Sequence, residues 1–205
     1  GAIVACGFCS KYPDLVRSLC LLAPLGVCWT DSIAGNPVEE VRLKNFPFVG
    51  RWLWRWRIRH GFAKRFQKIA FSSMEEETPY AHLVRREKAM IEWQLKHTRG
   101  YVQALENTLQ CFPLHQDKLT SLLAALGQHP IRATCVIWGE EDKLCPSKKG
   151  MEVAMSCFSQ TAGRFMAVKH AGHFPLIENF DDTASFMLSF LGESARSLRH
   201  DLTKL

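Results

Sequence analysis

The sequence predicts an α/β protein, and three observations lead to that class. Three short apolar runs, at 16–23, 133–138 and 165–168, have the character of buried strands in a parallel sheet. A segment of helical length at 146–157 separates the last two runs, as in a βαβ unit. Finally, 205 residues with 47% hydrophobic and 22% charged side chains are typical of a globular domain and exclude a disordered or fibrous chain.

The N-terminal segment is predicted to be a helix followed by a strand. Residues 1–12 are small and apolar on nearly every side, which is typical of a helix buried against a sheet. Pro13 ends this helix, and the apolar run at 16–23 then forms a strand that Pro24 closes. Both charge-free stretches in this part of the chain are too short to span a bilayer, which needs about 20 apolar residues.

Residues 27–112 are predicted to be a helical insertion between two strands. They contain helical stretches at 80–97 and 102–109, and no apolar run that resembles a buried strand. The chain is therefore divided into a core segment at 1–26, the insertion, and a second core segment at 113–205.

The second core segment is predicted to begin and end with helices. A stop signal at Gly127 and Pro130 ends the first helix before the strand at 133–138. The final helix has an apolar face at spacings of four, three and four, formed by Phe180, Ala184, Met187 and Leu191.

Polar turns follow the last two predicted strands. The strand at 133–138 runs into a turn that contains Asp142, and the strand at 165–168 runs into a turn that contains His173. In parallel sheets the carboxyl ends of the strands are where ligands bind, so the two side chains are expected to face one crevice. A histidine that acts as a general base needs an acid to fix its tautomer, and Asp142 supplies one.

At these residues the sequence resembles the α/β-hydrolase family, whose triad follows the order nucleophile, acid, histidine. The resemblance covers nearly the whole chain. It is carried by Gly-Ala-Ile-Val-Ala at 1–5, Leu-Leu-Ala-Pro at 21–24, Trp138-Gly139-x-x-Asp142-x-x-x-Pro146, and Ala171-Gly172-His173-Phe174-Pro175 followed by Glu178. The resemblance implies Asp142 as the triad acid, His173 as the general base, and residues 27–112 as a cap over the active site.

The Gly-x-Ser-x-Gly elbow of the family is absent from the chain. Residues 1–5 resemble the helix that follows the elbow, so the nucleophile is expected two or three residues before Gly1. The first strands of the fold are expected to be missing as well, and the chain by itself to be inactive. The start at Gly1, without a basic segment, is typical of the cut end of a longer chain rather than of a signal peptide.

The resemblance implies a hydrolase that acts on an ester or related acyl substrate with an apolar portion, without a metal or cofactor. An alternative is an epoxide hydrolase or dehalogenase with an aspartate nucleophile, for which Tyr80 or Tyr101 would be the cap electrophile. A third reading is a non-catalytic member of the fold that binds a lipid or a protein partner. Asp31, after the earlier strand, is an alternative acid.

The cysteines say more about the cellular compartment of the protein than about its catalytic chemistry. Most of the eight lie inside apolar runs, which is typical of buried free thiols in a reducing, cytoplasmic environment. Cys6 and Cys9 have C-x-x-C spacing, but no second such pair is present to complete a zinc site. We therefore expect no metal.

Residues 46–69 form the most basic part of the chain. Seven of the 26 Lys and Arg residues fall between 51 and 68. At helical spacing, one side of this segment is an apolar arc that consists of Trp54, Ile58, Phe62, Phe66 and Ile69. The charges of Arg57, Lys64 and Lys68 lie outside this arc. This pattern fits an ordinary cap helix with its apolar arc on the protein, or a helix that lies on an anionic membrane. No nucleic-acid-binding fold accompanies it, so no nucleic-acid partner is expected.

Overall fold

Three parallel strands form the sheet, as the apolar runs predict. The structure, a computed structural model, describes residues 1–24, 52, 55–56, 58–72, 78–111, 116–127, 133–157 and 162–202. Within these ranges the strands β1 (Ser18–Leu22), β2 (Ala133–Gly139) and β3 (Ala162–Val168) lie side by side in that order. Cys20 is opposite Cys135, and Val136 is opposite Phe165. Because both pairs are parallel, the strands end at the same edge of the sheet.

Helices make up most of the remaining described chain. In order they are α1 (Ala2–Lys11), a 3₁₀ turn (Pro13–Leu15), a π-helical turn (Ile58–Phe62), α2 (Ala63–Ala70), α3 (Ala81–His97), α4 (Tyr101–Cys111), α5 (Gln116–Gly127), α6 (Ser147–Cys157), α7 (Pro175–Glu178) and α8 (Phe180–Leu202). The helices predicted from the sequence correspond to α1, α3, α4, α6 and α8. The stop predicted at Gly127 is the end of α5.

The two faces of the sheet are covered by different helices. Alternate residues of β1 and β2 point to one face, where Leu21 and Trp138 are buried with Cys6 of α1, Leu123 of α5 and Ala154 of α6. On the opposite face α8 covers the sheet, where a second cluster contains Cys135, Ile137, Val168 and Phe190. Because β2 is central, it is buried on both faces, which explains its unbroken apolar sequence.

The apolar face predicted for α8 is wrong at both of its ends. Phe180 and Leu191 are 47% and 46% exposed, whereas Phe190 is only 2% exposed. Thr183, which lies on the same side of α8 as Phe190, is fully buried, and its single hydroxyl hydrogen is shared between the carbonyls of Asn179 and Pro175. A buried threonine gives no apolar signal, and one residue in register turns a helix face by about 100°.

The described part of residues 27–112, the segment predicted to be a cap, packs into two apolar clusters. The first joins the π-helical turn and α2 to α3 and α4 through Ile58, Ala63, Leu95 and Val102. The second, which we call the core-side cluster, contains Ala70, Phe71 and Val84, with Phe66, Ile91, Phe174 and Ile177 packed against it. Phe174 and Ile177 follow β3, so the core-side cluster is where the cap meets the core.

The apolar arc predicted at 46–69 faces the protein where it is described. Ile58 is 1% exposed, and Phe62 and Phe66 pack into the two cap clusters. Trp54 and Arg57 lie outside the described residues. Two aromatic residues outside the arc, Trp52 at 67% and Trp56 at 51%, are exposed in the described part of this segment. Among the described helices, none combines the length and the apolar character needed to cross a bilayer.

Candidate active site

Asp142 is held in place by the turn that follows β2. Its Oδ1 accepts the backbone N–H groups of Leu144 at 2.9 Å and Cys145 at 2.8 Å. An aspartate that bonds to the amides two and three residues ahead closes a tight turn on itself. The residue is 3% exposed. Because Oδ1 is occupied by these amides, Oδ2 is directed to a partner elsewhere in the chain.

That partner is His173, on the turn that follows β3. Its Nδ1 lies 2.8 Å from Asp142 Oδ2, and the imidazole side chain is 12% exposed. An ionised carboxylate can only accept hydrogen bonds, so Nδ1 carries a hydrogen and donates a hydrogen bond to Asp142 Oδ2. Nε2 is then left with its lone pair, which is the state that a general base requires.

Short backbone contacts bring the two turns together. The N–H of Glu140 donates to the carbonyl of Val168, and the N–H of Glu141 donates to that of Ala171, both at 2.9 Å. Gly139 lies so close to the histidine turn that a Cβ added to it would collide with the carbonyl oxygen of Gly172. A side chain at position 139 would therefore separate the acid from the histidine.

The histidine turn also contacts the end of α2. The N–H of His173 donates to the carbonyl of Ala70 at 2.6 Å. The ring of Phe174 lies 5.5 Å from the imidazole and 5.1 Å from the ring of Phe71. His173 is thus bordered by aromatic side chains of the core-side cluster.

The two tyrosines considered as cap electrophiles are engaged elsewhere. Tyr80 is hydrogen bonded to Asp181, and this bond raises the pKa of its phenol. It lines a cavity of about 390 Å³ whose other lining residues include His170, Glu178 and Asn179. Tyr101 packs into the first cap cluster. The alternative acid, Asp31, lies outside the described residues.

The cysteine pair of α1 has the environment of inert thiols. Cys6 and Cys9 are free and buried. Burial, with a smaller contribution from Cys9, raises the pKa of Cys6 to about 12, so its thiolate is scarce at neutral pH. Among the described residues, no three or more His, Cys, Asp or Glu side chains form a group that could hold a metal ion.

Sequence reasoning included Glu178 in the motif around His173 but assigned it no role. In the structure its side chain is fully buried, and it accepts hydrogen bonds from three backbone N–H groups. One of these donors lies 106 residues away in the chain. Contacts over such a separation leave no local pattern in the sequence.

Comparison with known proteins identifies the fold. No family model and no curated protein matches the sequence. Among solved structures, the chain is similar to an esterase from Thermogutta terrifontis, with 18% identity and a TM-score of 0.63 over 94% of this chain and 62% of the esterase.

Two further solved structures agree with it. An alpha/beta hydrolase enzyme from a Medee basin deep-sea metagenome library has 16% identity and a TM-score of 0.64, over 94% of this chain and 62% of that enzyme. A bacterial membrane phospholipase A has 20% identity and a TM-score of 0.58, over 95% and 55%. The chain therefore has the α/β-hydrolase fold, and it spans 55 to 62% of the length of these three structures.

Proposed function

We propose that the protein is a serine-type hydrolase of ester or related acyl substrates, with His173 as general base and Asp142 as triad acid. The observation that carries this proposal is the hydrogen bond of 2.8 Å between His173 Nδ1 and Asp142 Oδ2, which joins the turns after β2 and β3. The neighbouring structures include proteins described as an esterase and a phospholipase, which supports an ester as the substrate class.

In the proposed mechanism the nucleophile is a serine upstream of Gly1. His173 Nε2 takes the hydroxyl proton as the serine oxygen attacks the carbonyl carbon, and the imidazolium later gives that proton to the leaving alcohol. Asp142 stabilises the imidazolium, and its burial strengthens this interaction because little water screens it. Backbone amides stabilise the oxyanion. No step requires a metal or cofactor.

An apolar portion of the substrate is part of the proposal. The imidazole of His173 is bordered by the rings of Phe174 and Phe71, and Phe66 packs into the same core-side cluster. An acyl chain or an apolar alcohol near the base would bury surface against these rings, at about 25 cal/mol per Å².

Ester hydrolysis by the complete protein tests the proposal, where the complete protein is the whole product of the reading frame that encodes residues 1–205. We expect turnover of p-nitrophenyl esters, with a preference for medium or long acyl chains over acetate, and loss of turnover in His173→Ala. We also expect residues 1–205 alone to be inactive. If the complete protein shows no turnover, the proposed hydrolase activity is contradicted. If residues 1–205 alone show turnover that depends on His173, the expectation that they are inactive is contradicted.

The same assay addresses the two alternatives. An aspartate nucleophile with a tyrosine electrophile is less well supported, because Tyr80 is bonded to Asp181 and Tyr101 is packed into the cap. Turnover of epoxides or haloalkanes in place of esters would favour it. A complete protein that turns over none of these substrates but binds fatty acids would be a non-catalytic member.

We further propose that the protein is cytoplasmic and touches anionic membranes through Trp52 and Trp56. The free buried thiols support a reducing compartment. Both tryptophans are exposed, and Arg59 and Lys64 are exposed nearby in sequence. Each basic residue near an anionic surface contributes about 1 kcal/mol, an attraction that salt screens.

Vesicle co-sedimentation tests this contact. We expect the complete protein to bind phosphatidylserine vesicles at low salt, and the double variant Trp52→Ala/Trp56→Ala to bind several-fold less. Trp93→Ala is the matched control, since Trp93 is 59% exposed but lies on α3. Equal binding by the double variant and the control would exclude this surface.

A further inference from the structure

Glu178 joins two parts of the chain that are distant in sequence. Its Oε2 accepts the N–H of Ser72 at 2.6 Å, and its Oε1 accepts the N–H groups of Gly172 at 2.9 Å and Phe174 at 3.2 Å. The residue is completely buried. A buried carboxylate is tolerated when hydrogen bonds replace its hydration, and the three amides do so here.

The three donors have a clear relation to the active site. Gly172 and Phe174 are the residues on either side of His173, so Oε1 holds the backbone of the general base from both sides. Ser72 comes two residues after the end of α2, so Oε2 holds the chain just beyond this helix. One carboxylate therefore contacts both the histidine turn and the end of the cap helix.

Two more contacts tighten this junction. The N–H of His173 donates to the carbonyl of Ala70, the last residue of α2, at 2.6 Å. Gly172 faces the same backbone, and a Cβ added to it would lie 2.5 Å from the oxygen of Ala70 and 2.8 Å from the nitrogen of Ser72. Because the two backbones touch without intervening side chains, a shift of one is transmitted to the other.

We infer that Glu178 is a positioning residue of the proposed reaction, whose two oxygens fasten the His173 turn to the end of α2 and thereby fix the direction of the imidazole. The inference rests on the proposed function. Glu178 touches no reacting atom and acts through the backbone of His173. Orientation matters because a displacement of about 1 Å at a reacting group lowers a rate on the order of a hundredfold.

The variant Glu178→Gln separates the two halves of this arrangement. Its amide has one oxygen and one NH₂ group, so it can accept hydrogen bonds from the Gly172 side or from Ser72, but not from both. Glu193→Gln is the matched control, because Glu193 is exposed on α8 and pairs with Arg164. Glu178→Asp keeps the charge but withdraws it by one methylene, and it serves if the glutamine variant does not fold.

The activity measurement is kcat per active site in the complete protein, with sites counted by titration with a fluorophosphonate. We expect Glu178→Gln to lower kcat per site by about tenfold to a hundredfold, with KM changed by less than about threefold. Glu193→Gln should match the parent. If Glu178 had a merely structural role, Glu178→Gln would reduce the number of titrated sites but leave kcat per site within about twofold of the parent value. That result would overturn the inference.

A second measurement does not depend on catalysis. The proton on His173 Nδ1 should give a low-field NMR signal, present in the parent and in Glu193→Gln but broadened or lost in Glu178→Gln. An unchanged signal in Glu178→Gln would overturn the inference. If the parent hydrolyses no ester but this signal is lost in Glu178→Gln as expected, the proposed function fails while the positioning of His173 by Glu178 stands.

Discussion

The turns that carry Asp142 and His173 and the helices of the cap are held together by different forces. The turns meet through backbone hydrogen bonds and through glycines that leave no room for a side chain. The helices of the cap meet through apolar side chains such as Ile58, Leu95 and Val102. Backbone contacts restrict which residue types can occupy a position, whereas apolar packing accepts many combinations of similar volume. We therefore expect substitutions in the turns to affect mainly catalysis, and substitutions in the cap to affect mainly stability.

The largest effect is expected at the proposed triad. In the complete protein, His173→Ala should lower kcat on the order of 10⁴-fold or more, because the nucleophile loses its base. Adding Asp142→Asn should lower kcat little further, since residues of a triad act as a unit. Steady-state kinetics of the two single variants and the double variant measure this. Losses that multiply independently would show that the two residues do not work together.

The next effect concerns the stability of the cap. Ile58→Ala should lower the free energy of unfolding by about 2 to 5 kcal/mol, because it leaves a cavity in the first cap cluster. Trp56→Ala, in the same segment but 51% exposed, should change it by about 1 kcal/mol or less. Urea denaturation of both variants decides which face of the segment is buried. A larger loss for Trp56→Ala would reverse the orientation described here.

The smallest effect distinguishes two glycines. Gly139→Ala should lower the free energy of unfolding by about 1 to 3 kcal/mol and also reduce kcat, because the new Cβ collides with the histidine turn. Gly192→Ala, where a Cβ meets open space on the exposed side of α8, should raise stability by about 0.5 to 1 kcal/mol. Thermal unfolding and kcat of the two variants provide the comparison. Normal activity in Gly139→Ala would mean that catalysis does not require the close contact between the two turns.

The sequence was most informative where the backbone dictates residue type. Asp142 and His173 could be paired because each follows a buried apolar run, and parallel strands end at one edge of the sheet. The bond that Glu178 makes to Ser72 could not be predicted, because it depends on a contact between residues 106 positions apart. Local periodicity carries no information about such contacts.

Periodicity predicted helices at 46–69 and in α8, and it located the buried face better in the first segment than in the second. At 46–69 the predicted arc included Ile58, which is buried, and left out Trp52 and Trp56, which are exposed. In α8 a buried threonine replaced an apolar residue on the sheet-facing side, and its hydroxyl is satisfied by two backbone carbonyls. Which residues of a helix are buried depends on the surface against which the helix packs.

The most direct test of the proposed triad is fluorophosphonate labelling of the complete protein, with the modified residue located by mass spectrometry. Fluorophosphonates react with a serine that an adjacent base has activated. The proposed triad predicts one labelled serine, two or three residues upstream of Gly1, and labelling that slows on the order of 10³-fold or more in His173→Ala. Absence of labelling in the folded protein, or labelling at the same rate in His173→Ala, would contradict the assignment of His173 and Asp142.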